Sequence, residues 1–200
     1  MGTIKSAFEI AMARTEDVAG DKEGLKIKAW EEEGKKIASS FLLDHRDPKR
    51  FEEEFKAAKT GGDSRAREAR LAGAREVFKN NLCLPLYPNW PETLETLRLG
   101  YQVMASHPKE VNAFFKEAAA FFQQYWQSRE QLGDAIRAQL QETARSRSEQ
   151  LTAQSGFKVE LDPEELPEYA RAFREHEGRL TARFRTALEE VKTGLDRFFK

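Results

Sequence analysis

The sequence predicts an all-α protein: an elongated helical bundle with a long antiparallel helical hairpin that forms a coiled-coil-like arm. Three observations carry this. Residues 109–154 contain no proline and one glycine, Gly133, while Val111, Phe115, Ala118, Phe122, Trp126, Leu132, Ile136, Leu140, Ala144 and Leu151 recur at helical spacing. Residues 168–200 do the same through Tyr169, Phe173, His176, Leu180, Phe184, Leu188, Val191, Leu195 and Phe198. Ala, Glu, Leu, Lys and Arg supply 102 of the 200 residues, the composition of long helices and coiled coils.

The elements follow from local punctuation. Thr3 can cap a first short helix with Ile4, Ala7, Phe8, Ala11 and Met12 on one face. Asp21 can cap the next, whose inner face holds Leu25, Trp30, Ile37, Ala38, Phe41 and Leu42; Gly24 and Gly34 weaken its continuity. Asp47-Pro48 places a cap before a proline at the first helical position, and Phe51, Phe55 and Ala58 follow in phase. Thr60-Gly61-Gly62 stops that helix, and Asp63 can start another through Ala66, Leu71, Ala74, Val77, Phe78 and Leu82.

Residues 83–91 cannot be helical, because Pro85, Pro88 and Pro91 fall among nine residues. Leu84, Leu86, Tyr87 and Trp90 suggest a loop pinned against the core. A helix from about 91 to 106 turns Leu94, Leu97, Tyr101 and Met104 inward, and Ser106-His107-Pro108 caps the long helix. That helix would reach on the order of 65 Å if unbroken. Phe157, Val159 and Leu161 alternate in the turn near 154–162, but a lone strand there has no partner, so the segment reads as extended loop. Asp162-Pro163 restarts the helix. The last stripe averages close to 3.6 residues per turn, nearer a straight helix than a strict heptad. Residues 1–107 are thus expected as a bundle of short helices on the base of the hairpin formed by 108–200, in one continuous structural unit.

Composition limits the function. The net charge of −1 creates no global field for nucleic acid or acidic membranes. Cys83 is the single cysteine, so the chain cannot form an internal disulfide. No secretory leader pattern and no apolar run of membrane-spanning length is present, and a cytoplasmic location is expected. Residues 1–6 fit the loose myristoylation pattern, which an ordinary start followed by a helix cap explains as well.

No motif specifies chemistry. His45, His107 and His176 are preceded at the di-iron offset by Leu42, Met104 and Phe173, so none completes Glu-x-x-His. His176 lies on the apolar stripe and reads as a partly buried histidine; Cys83, between Leu82 and Leu84, reads as a small core residue. Phosphate-binding glycine loops are absent. No catalytic residue, metal site or cofactor is expected.

Three functional readings remain. The preferred one is a non-enzymatic structural or protein-interaction component whose arm meets a protein partner or a second copy. In that reading Leu132, Ile136 and Leu140 form a thin apolar stripe suited to a two-helix arm. The second is a pocket for an apolar small molecule at the aromatic band of Phe115, Phe122 and Trp126, closed by Leu86, Tyr87 and Trp90. A band where helices converge is more simply core. The third is nucleic-acid binding through Arg65, Arg67, Arg70, Arg75 and Lys79, or Arg137, Arg145 and Arg147. Interleaved Glu68 and Glu76 argue instead for salt-bridged faces.

Overall fold

The computed structural model describes residues 7–45, 47–60 and 64–199, with side chains for 22–43, 47–57 and 64–198. The described residues form six α-helices and no strand: α1 (Ala7–Ser40), α2 (Pro48–Thr60), α3 (Ser64–Asn81), α4 (Trp90–Met104), α5 (Pro108–Ser155) and α6 (Pro167–Gly194). Short helical turns of other pitch follow α1 (Phe41–His45, π), precede α6 (Pro163–Glu165, 3-10) and follow it (Leu195–Phe199, 3-10). The packing separates into two compact units. One comprises Met1–Leu82, Glu92–Asn112 and Phe198–Lys200; the other comprises Cys83–Pro91 and Ala113–Arg197.

In the first unit, α1 and α3 meet backbone to backbone. A methyl group built at Gly34 would overlap the carbonyl of Arg70, and one built at Gly73 would overlap that of Glu31. Only a residue without Cβ lets the two helices come this close. The ion pairs Glu23–Arg65, Glu33–Arg70 and Lys35–Glu76 flank the contact, with numbering rising together along both helices. The helices therefore run parallel, and α2 supplies the return between them. Glu76 and Glu32 together hold the Lys35 ammonium above its usual range, chiefly through the hydrogen bond that Lys35 donates to Glu76.

Below that contact, the core is aromatic. Phe41 stacks on Phe51 at 4.7 Å, and Phe51 stacks on Phe55 at 5.6 Å. The fully buried Phe78 meets Phe41, Phe51 and Tyr101 at 5.7–5.9 Å. One ring thus ties α3 to the end of α1, to α2 and to α4. Asp47 caps α2 as expected, its carboxylate accepting the Lys49 amide at 3.0 Å.

Several local expectations need correction. α1 runs unbroken through position 21, so no helix starts there; internal glycines at about 1 kcal/mol each weaken a helix without ending it. Leu25 is exposed, while Ala38 on the same helix and Phe41 in the turn that follows it are buried. Cys83 is exposed rather than in the core. Asp162 caps the 3-10 turn through a capping box with Glu165, not α6 itself. The α-helix begins at Pro167, four residues after Pro163, because Leu166 before that proline is held extended (φ −74°, ψ 133°). The proposed caps at Thr3 and Asp63, the Thr60-Gly61-Gly62 stop and the residue 1–6 pattern fall wholly or partly outside the described residues, as do the side chains of Ala7, Phe8, Ala11, Met12 and Ala58.

The close approach sets the sign of a glycine substitution. Gly34→Ala is expected to lower stability by about 1–3 kcal/mol, since the new methyl must push α3 away. Gly178→Ala, in α6 with nothing within 4 Å of a Cβ, is expected to raise stability by about 1 kcal/mol. Urea unfolding followed by circular dichroism compares the two; a stabilised Gly34→Ala protein would overturn the backbone contact.

Candidate interaction surface on the second unit

The aromatic band of α5 is mostly core. Phe115 and Phe122 are buried, with Phe114 and Tyr125, whereas Trp126 is half-buried. Trp90 sets its ring edge-on to Phe122 at 6.1 Å, so the proline-rich segment covers this part of the band with its own indole. The same segment leaves Leu86 (62%) and Tyr87 (70%) exposed, because Pro85 is the residue it buries. Leu132 and Leu140 are half-buried, and Ile136 is buried.

α5 and α6 contact through rings and a polar clasp. Phe121 and Tyr125 both meet Phe184, at 5.5 and 5.2 Å, and the Tyr125 hydroxyl shares a hydrogen bond with Thr181 at 3.1 Å. One step along, Arg129 donates through Nε to Glu177 at 2.6 Å. Its guanidinium also lies over Trp126 at 5.6 Å and Phe173 at 5.3 Å. Both members of the ion pair are about three-quarters buried, so the charge is held by a carboxylate at hydrogen-bond distance and by two aromatic rings within about 6 Å. Burial raises the Tyr169 phenol above its usual range, helped by the nearby Glu164 charge.

The far end of α5 is tied down by hydroxyls. Ser148 and Thr152 accept the amides of Leu161 and Val159, each at 2.9 Å, and Ser155 accepts the amide of Phe157 at 3.3 Å. Gly156, at φ +72°, makes the left-handed step that leaves the helix. Arg147 closes the base with two bonds to Glu168, at 2.6 and 3.2 Å, and holds that carboxyl below its usual range. The loop so fixed leaves Phe157 78% exposed, and Leu151 near the end of α5 is exposed as well. The segment is loop and without strand, as expected, but Val159 and Leu161 are half-buried whereas Phe157 is exposed, so the alternation does not by itself give the direction of the ring.

The arginines considered for nucleic acid are largely engaged. Arg65, Arg70, Arg137, Arg145 and Arg147 each pair with an acid, and Arg75 and Lys79 also have partners. Among the described residues, no group of three or more His, Cys, Asp or Glu could hold a metal ion. No helix among the described residues is long and apolar enough to cross a membrane. His176, expected to be partly buried, is exposed.

The clasp gives a direct test. Arg129→Met should lower stability by about 1–3 kcal/mol by stranding Glu177 in a partly buried site. Arg129→Lys should recover only part of that, since an ammonium cannot reproduce a planar guanidinium laid over aromatic rings. Urea midpoints measure both; full recovery by lysine would show that charge alone matters.

The sequence profile of a family of unknown function, DUF6657, matches residues 52–197, well over half of the chain. No curated protein matches the chain, and no solved structure does. The chain belongs to the DUF6657 family.

Proposed function

We propose that the protein is a non-enzymatic interaction component in which α5 and α6 form an antiparallel hairpin arm, with the loop at its tip presented to a protein partner or a second copy. The hairpin reading is supported by contact order: Phe121 meets Phe184, Tyr125 meets Thr181 and Arg129 meets Glu177, with numbering falling on α6 as it rises on α5.

The observation that carries the functional reading is Phe157. A flexible loop can tuck an aromatic ring away from water, but this loop is pinned by three side-chain hydroxyls and keeps the ring outside. Exposing so large an apolar side chain on an ordered backbone forgoes about 1.5–3 kcal/mol of burial that a partner could supply. Leu151, on the last turns of α5, is a second exposed apolar side chain at this end of the helix. An aromatic ring pre-set by its backbone is also the usual form of an interface anchor.

Native mass spectrometry of the full chain, captured gently from its own cell, tests this. A stoichiometric second protein or a defined homo-oligomer is expected, and Phe157→Ser should weaken that assembly at least about tenfold while leaving the unfolding midpoint within about 0.5 kcal/mol. A bare monomer that also shows no cross-linked neighbour, or an assembly indifferent to Phe157→Ser, would overturn the proposal.

A further inference from the structure

We infer that a second, chemically distinct site lies on the flank of α6: a cation-rimmed hollow for a phosphate monoester carrying a short apolar body. The hollow, about 350 Å³, lies between α5 and α6. That is the lower end of the range for small-molecule sites, roughly 300–1,000 Å³.

Its rim is His176, Arg179 and Arg183, which recur at helical spacing and so share one face of α6. Its floor is Leu132 and Leu180, both half-buried. Ser128 and Gln131 complete it from α5 with neutral polar groups. No lining residue is acidic, unlike the hollow on the other flank of α6, where Glu177 lies between Arg174 and Arg185.

The charges on this rim are available to a ligand. Arg179 pairs with Glu175 at 2.7 Å, but both side chains are well exposed (71% and 60%), so water screens the pair and an incoming dianion can compete for the guanidinium. Arg183 makes no ion pair among the described residues. Two guanidinium groups with several donors each, beside an imidazole, match the three oxygens of a phosphate better than the two of a carboxylate. The leucine floor lies within the same hollow, which selects an ester with an apolar substituent over the free inorganic ion.

Titration of the full-length protein with phenyl phosphate, inorganic phosphate and phenol, followed by NMR, reads this out. Phenyl phosphate should saturate, bind several-fold more tightly than inorganic phosphate, and shift Leu132 and Leu180 resonances, whereas phenol should not saturate. The double variant Arg179→Gln/Arg183→Gln should weaken phenyl phosphate at least about tenfold. Leu132→Ala should erode the preference over inorganic phosphate. Arg145→Gln, an equally exposed arginine outside the hollow, should change affinity less than twofold. Phosphatidate vesicles, run in parallel, identify the source: co-sedimentation lost in the double variant assigns a lipid headgroup, and soluble binding alone assigns a free ester. Absence of saturation by phenyl phosphate, or an equal loss in Arg145→Gln, would overturn the site.

Discussion

The first unit depends on how close α1 and α3 come at Gly34 and Gly73, where each helix meets the other's backbone. A chain that is 34% charged cannot surround every helix with large apolar side chains. Backbone contact between small residues reduces the apolar volume the interface needs, and it lets the charged residues on either side reach across. Glu33–Arg70 and Lys35–Glu76 are consequences of that proximity. They are partly exposed and add little on their own, but they favour the parallel alignment over its alternatives. With α1 and α3 so placed, Phe78 is the residue positioned to gather Phe41, Phe51 and Tyr101 into one core.

The second unit solves the same shortage differently. Its large rings are concentrated on α5, and the adjoining segment of α6 carries Arg174, Glu175, Glu177 and Arg179 among fewer apolar residues. Arg129 makes the polar surroundings compatible with burial, setting its flat cation against the Trp126 and Phe173 rings while Glu177 balances the charge. Such a clasp is sensitive to geometry in a way that leucine packing is not. It favours one register of the two helices over neighbouring ones.

Proline made much of the fold legible. Pro48 and Pro108 begin helices where the sequence places them, Pro91 follows the first residue of α4, and the Pro85–Pro88–Pro91 spacing excludes helix from the segment before it. What failed was punctuation with two readings. Asp21 looks like a cap, but nothing else near it stops a helix, and α1 continues. Asp162-Pro163 and Pro167 compete for the same start, and the second wins because Leu166 is extended. Exposure was less legible than helicity: Leu25, Cys83 and His176 lie in apolar patterns yet face solvent, because an apolar stripe is wider than the neighbour that covers it. Of the candidate contact residues, Phe115, Phe122 and Ile136 are core, while Leu86 and Tyr87 remain accessible. The rim of His176, Arg179 and Arg183 was beyond reach, since its meaning depends on Ser128, Gln131 and Leu132 from a distant part of the chain.

The hydroxyl ties at the end of α5 have a consequence for local opening. Ser148 donates to the Ala144 carbonyl within the helix while accepting the Leu161 amide from the loop, and Thr152 accepts the Val159 amide a turn further on. The loop can therefore be released only by swinging these hydroxyls off their amides, and fraying of the last helical turns would displace them as well. Slow-exchanging amides are thus expected at Val159 and Leu161. If Phe157 anchors a partner as proposed, the contact would be felt two turns back along the helix, as added protection at its terminus.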